Sequence, residues 1–257
     1  ALLVDATTDE RMDEVSSQGY AWGYIGSCVP FIACLLIVLN YDKLGLGLQT
    51  AMQIAFAITA AWWLVFTIPM LRDVEQKHFK PRESGAIAKA IGGIGGTLKE
   101  MWSNKAIKFY MIAYFFYIDG VHTIIKLSTS YGTDLGIDAT QLVLALLVTQ
   151  FVAFPSAIIY GRLSSKYGTR RMLLIAIAAY FGITLFAALF LRTATEFWVL
   201  AILVGMFQGG IQALSRSEFG KLCPKERANE YFGFFDIFGK YAAILGTFLV
   251  GTFTAIS

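Results

Sequence analysis

The sequence predicts an all-α, polytopic membrane helix bundle of about seven transmembrane helices. Three observations predict it. No Asp, Glu, Lys or Arg occurs in residues 15–41, 44–71, 139–161, 172–191 or 197–215. Each run has about the length a helix needs to cross the hydrocarbon core of a bilayer, roughly 20 residues. Hydrophobic residues make up 56% of the 257, charged residues only 15%, and the mean hydropathy is +0.60. A soluble domain carries about 25% charged residues, so this chain lacks the polar surface to stay in water. Finally, the runs are continuously apolar. A transmembrane β-barrel needs short alternating strands, whereas helices satisfy their own backbone hydrogen bonds in lipid.

The first span is expected over residues 18–39. Its small residues Gly19, Gly23 and Ser27 form a stripe suited to helix packing. The second is expected over 49–71. A long polar segment, 72–105, follows and is the one clear boundary. It contains two Gly-Gly pairs, Gly92-Gly93 and Gly95-Gly96. Residues 87–98 can form an amphipathic helix on the membrane surface, or the segment is a solvated linker. The third span, 106–126, begins near Lys108 and contains Asp119, His122 and Lys126. At i, i+3 and i+7 these three share a helix face. Ionisable groups in a membrane are costly unless they meet a cavity or a partner. Either they line a solute pathway, or Lys126 snorkels at the outer interface while Asp119 pairs with another helix. His122 can titrate near neutral pH.

Spans four, five and six are expected over 140–160, 172–191 and 197–215. Gln208, Gln212 and Arg216 recur every fourth residue on the sixth, with Arg216 expected at its membrane edge. Gly205 and Gly209 form a GxxxG step that permits close helix approach. Gln208 falls near mid-membrane, where a cavity-facing role and an interhelical hydrogen bond both remain open. The seventh span, 231–256, contains Asp236 and Lys240, whose i, i+4 spacing allows an ion pair within the helix.

Topology follows from loop Lys and Arg. Segment 72–105 holds seven against four acids, 162–171 holds four against none, and 216–230 holds four against three. The other loops hold at most one each. These three basic segments are therefore expected on the cytoplasmic side, and the acidic residues 1–14 with them. Residues 1–14 lack the basic region of a signal peptide.

Other chemistries find little support. Cys28, Cys34 and Cys223 have no metal-ligand spacing and read as free thiols. The Gly92–Gly96 run follows no strand and lacks the Lys-Ser/Thr of a phosphate loop. No nucleophile–base pair, cofactor motif or nucleic-acid signature is evident, so neither an enzyme nor a nucleic-acid partner is expected.

The stretch Gly161–Arg171, GRLSSKYGTRR, supplies Arg162, Lys166, Arg170 and Arg171, and its glycines permit a tight turn. Its spacing resembles the signature loop of the major facilitator superfamily, although Ser165 stands where that family usually has an acid. Four more stretches, 16–26, 116–136, 208–224 and 230–246, resemble its vacuole-effluxer-like branch, related to the autophagy-linked vacuolar amino-acid effluxer. The resemblance implies a twelve-helix fold. Residues 1–71 would supply the last two helices of the N-terminal half, 72–105 a cytoplasmic linker, and 106–257 the first five helices of the C-terminal half. It also implies secondary transport of a small solute, with amino acids as the candidate class and protons as a candidate co-substrate. The location would be the plasma membrane in a bacterium or the vacuolar membrane in a eukaryote. Asp119, His122, Lys126, Gln208 and Gln212 would line the pathway. The basic-loop residues, Arg216, Asp236 and Lys240 would serve gating or structure. The alternative is a non-transporting scaffold or sensor whose intramembrane charges are structural ion pairs.

Overall fold

The computed structural model describes residues 2–78 and 86–256. The described residues form α1 (Leu2–Ala6), α2 (Met12–Leu39), α3 (Leu48–Asp73), α4 (Ala86–Ser103) and α5 (Lys105–Asp134), then α6 (Ala139–Tyr167), α7 (Thr169–Phe190), α8 (Ala194–Leu222) and α9 (Ala228–Ile256). A 3₁₀ turn, Lys225–Arg227, precedes α9. The protein is thus an all-α membrane bundle. α2, α3, α6, α7, α8 and the stretch Lys225–Phe253 are long and apolar enough to cross a bilayer. α5 falls outside that group because of its polar residues, although its 30 residues span about 45 Å.

Most helices run past the predicted apolar spans. The polar turns at their ends continue the same hydrogen-bond ladder, and local chemistry decides where they stop. The Asn104 side chain accepts from Ala106 N and Ile107 N to start α5. Asp138 accepts from Thr140 N to start α6. Thr193 and Glu196 form a capping box at α8. Gly168, at φ 89°, makes the tight turn between α6 and α7, a conformation that glycine adopts without steric cost.

The most extensive helix pairings are α6 with α8 and α2 with α6, followed by α5 with α9. Small residues explain the first. A Cβ on Gly209 would lie 2.8 Å from Ala157 Cβ and 3.0 Å from the Ala153 carbonyl oxygen. One on Gly205 would lie 2.7 Å from the Thr149 carbonyl oxygen. The expected stripe on α2 fares differently, for nothing lies within 4 Å of a Cβ built on Gly19 or Gly23. α2 packs through Ser16, Ser17, Ala21, Tyr24 and Cys28 instead. Gly161, read as a turn residue, lies inside α6, where a Cβ would meet Ser17 Cβ at 2.6 Å. α3 buries little besides Ala51 and presents Phe56, Trp63, Leu64 and Leu71 outward.

Of the segment 72–105, residues 79–85 lie outside the described residues. Its second half is α4, a surface helix rather than an open linker. Met101 is fully buried, and Trp102 packs against Phe238 of α9. Arg227 donates to Thr97 Oγ1 at 2.6 Å and pairs with Glu100, fastening α4 to the start of α9.

Candidate functional site

A cavity of about 190 Å³ opens where α2, α5, α8 and α9 meet. Tyr20 comes from α2, while Tyr114, Ile118 and His122 come from α5. Gln212, Ser215 and Arg216 come from α8, and Phe235, Asp236, Gly239 and Lys240 from α9. Aromatic packing fixes this arrangement. The Tyr114 ring stacks on Phe235 with centroids 4.1 Å apart. A Cβ on Gly239 would sit 2.8 Å from the Tyr114 hydroxyl, so glycine admits the ring. Tyr110 donates its hydroxyl to the Ser215 carbonyl at 2.7 Å, and the Tyr117 and Ser215 hydroxyls lie 2.7 Å apart. These tyrosines hold α5 against α8.

Five of the residues singled out from the sequence converge here: His122, Gln212, Arg216, Asp236 and Lys240. The ion pair allowed by the Asp236–Lys240 spacing is not made. Among the described residues none of Arg216, Asp236 and Lys240 has an oppositely charged partner within 4 Å. Arg216 follows the last uncharged residue of the apolar run, and α8 continues almost two turns beyond it to Leu222. Its guanidinium sits 5.5 Å from the Phe232 ring centroid.

The remaining candidates lie elsewhere. Gln208, 9% exposed, borders a second, larger cavity of about 1300 Å³. That cavity is predominantly apolar, with Trp22, Trp62, Trp63 and Phe66 among its walls. Tyr24 of α2 donates its hydroxyl to Gln212 Oε1 at 3.0 Å. Asp119 stands outside the small cavity at the α5–α9 crossing, where Oδ1 accepts from Gly246 N at 2.8 Å. Lys126 is exposed one turn beyond His122. Arg162, Lys166 and Arg171 are exposed at the α6–α7 turn, with Lys166 Nζ 5.1 Å from the Tyr167 ring centroid. Arg170 Nε donates to the largely buried Glu218 at 2.8 Å.

A second polar cluster, absent from the sequence reading, centres on Asp13. Its carboxylate accepts from Thr169 Oγ1 at 2.5 Å, Ser217 Oγ at 2.6 Å and Lys221 Nζ at 2.7 Å. Lys221 Nζ also donates to Thr169 Oγ1 at 2.9 Å. A nearby bond runs from Ser16 Oγ to the Ala213 carbonyl at 2.8 Å. This cluster ties the start of α2 to the start of α7 and the end of α8. With the Arg227 contacts to α4, it gathers the basic segments at one end of the bundle. The sequence signal for it is faint. Ser217 and Lys221 share a helix face at i, i+4, but their partner Asp13 lies 204 and 208 positions away.

A family model described as "Vacuole effluxer Atg22 like" matches residues 4–256. The chain is 46% identical over 252 residues to an uncharacterized MFS-type transporter, YxiO, of Bacillus subtilis, covering 97% of this chain and 59% of that protein. It is 25% identical over 270 residues to autophagy-related protein 22 of Kluyveromyces lactis, covering 96% and 53%. The corresponding Cryptococcus neoformans protein is 27% identical over 258 residues, covering 92% and 44%. The chain thus spans roughly half the length of these relatives. No solved structure matches it.

Proposed function

Since this chain belongs to the vacuole effluxer Atg22-like family, we propose that it is the central part of a secondary transporter for small solutes, with amino acids as the solute class. By this reading residues 1–71 carry the last two helices of one half and 72–105 the linker. Residues 106–257 carry the first five helices of the other half. The observation that carries the proposal is the cavity between α2 and the α5, α8 and α9 group. It presents Arg216, Lys240 and Asp236 without ion pairs among them. Asp236 and Lys240 are exposed and Arg216 is half-buried, so the three charges are open to a solute, and a bound zwitterion would pair with them. Its carboxylate fits Arg216 or Lys240, and its ammonium fits Asp236.

Alternating access requires one end of the pathway to close while the other opens. The Asp13 cluster joins α2 of the first half to α7 and α8 of the second. We assign it as the closure at the end carrying the basic segments, the cytoplasmic end by loop charge. In the scaffold or sensor reading, the intramembrane charges serve as structural ion pairs. The missing Asp236–Lys240 pair disfavours that reading. The test is uptake of the twenty labelled protein amino acids by proteoliposomes containing the intact protein. Saturable uptake of at least one is the expected result. Uptake no faster than in protein-free vesicles, for every amino acid, would remove the proposal.

A further inference from the structure

We propose that the solute of the α2–α5–α8–α9 cavity is an acidic amino acid, with one ammonium and two carboxylates, and that Arg216 selects it by holding the second carboxylate. The inference rests on reading that cavity as the transport site. The balance of charge carries it. Arg216 and Lys240 line the cavity together with a single carboxylate, Asp236. Tyr20 from α2 and Tyr114 from α5 add phenols, which are neutral near neutral pH. His122 from α5 can only add to the positive excess. Asp119 and Lys126, one turn either side of His122 on α5, stand outside the lining and oppose each other in sign. A neutral zwitterion brings one charge of each sign and leaves one wall cation over. An acidic amino acid, with one more carboxylate, meets all three wall charges.

The placement of the wall charges matches the placement of those groups. Asp236 and Lys240 are four residues apart on α9, so their Cβ atoms are about 5–6 Å apart on one helix face. The ammonium and α-carboxylate of an amino acid share one carbon, and this adjacent pair of opposite charges receives them together. Every amino acid has that end, so the pair makes no choice among them. Arg216 reaches the cavity from a different helix, α8, and is left for a group beyond the α-carbon. A guanidinium is a planar fork of donors that binds a carboxylate in bidentate fashion. Nearby acids are already engaged. Glu218 pairs with Arg170, and Asp13 with Lys221. The Phe232 ring, with its centroid 5.5 Å from the guanidinium, positions Arg216 without neutralising it. The volume of about 190 Å³ is below the roughly 300–1,000 Å³ of sites for drug-sized ligands. It suits a solute with one or two methylenes between the α-carbon and the second carboxylate.

The test is uptake of labelled L-glutamate by proteoliposomes containing the intact protein, with unlabelled competitors. Glutamine lacks the second carboxylate and glutarate lacks the ammonium. Each forfeits one charged contact, so each is expected to compete at least about tenfold more weakly than glutamate. Arg216→Gln is expected to lower glutamate uptake at least about tenfold and glutamine uptake far less, so that the preference collapses. Retained glutamine uptake also shows that this variant is folded. Arg216→Lys, which keeps the charge, is expected to restore most of the preference. Saturable uptake that favours glutamine or leucine over glutamate would overturn the inference and leave transport standing. Competition by glutarate equal to that by glutamate would overturn the role of the ammonium. An unchanged glutamate preference in Arg216→Gln would overturn the assignment of Arg216. The competition with unaltered protein decides the solute class even where Arg216→Gln fails to reach the membrane. Absence of saturable uptake for every amino acid would overturn the transport reading itself.

Discussion

At the residue scale, Asp13 illustrates how a buried charge is held. Its side chain is 6% exposed, and three donors from two other helices surround its carboxylate. Removing one partner of a buried pair leaves the other uncompensated, which costs several kcal/mol when both are sealed. The Lys221 side chain keeps 24% of its exposure, so solvent screening reduces the loss. Asp13→Asn is expected to lower stability by about 2 kcal/mol, read as a lower melting temperature of the purified protein. An unchanged melt would show that the cluster contributes no net stability. The sequence hides this residue because its donors sit at Thr169, Ser217 and Lys221, 156 or more positions away. Asp236 and Lys240 mislead in the opposite way. Their spacing is right for a pair within α9, but both side chains line the cavity.

At the element scale, two glycines on neighbouring helices predict opposite outcomes. Gly209→Ala pushes a methyl group into Ala157 and the Ala153 carbonyl. Overpacking of this kind costs about 1–3 kcal/mol, and the expected result is reduced thermal stability. Gly19→Ala meets nothing within 4 Å and gains helix propensity, so its melt should be unchanged or slightly higher. Equal losses in both variants would contradict the described packing. The contrast also shows what hydropathy reveals. Helices α2, α3, α6, α7 and α8 are readable because long uncharged runs have few alternatives in lipid. Their faces are not readable, because the α2 stripe of Gly19 and Gly23 looks as suitable for packing as the stripe of Ser17, Ala21 and Tyr24 that is actually used. Helix ends escape the sequence for a different reason. Charged and polar residues can extend a helix beyond the apolar core, as α5 does to Asp134 and α8 to Leu222.

At the scale of the whole molecule, contacts gather the described parts of segment 72–105 with residues 162–171 and 216–230 at one end of the bundle, as their basic loading leads one to expect. Single cysteines introduced into these segments of the intact protein should therefore react with an impermeant thiol reagent from one common side. Reaction from opposite sides would end this topology. The cavity is half legible. Polar residues inside apolar runs mark His122, Gln212, Arg216, Asp236 and Lys240, because such residues need a reason to be there. What the sequence cannot supply is their grouping. Gln208 and Gln212 share a helix face, yet they border different cavities, and Tyr24 bonds to Gln212. Asp119 shares a face with His122, yet it bonds across the α5–α9 crossing.

The central claim is that the charges of the small cavity hold the solute. The most direct measurement is amino-acid flux by Asp236→Asn and Lys240→Gln variants of the intact protein, normalised to folded protein in the membrane. Each change removes one charge that a zwitterion would meet, and losing a hydrogen bond to a charged group costs about 1.5–3 kcal/mol. The account predicts that flux at subsaturating solute falls at least about tenfold in each variant, with abundance and melting temperature near normal. Normal flux in both variants at normal abundance would contradict it.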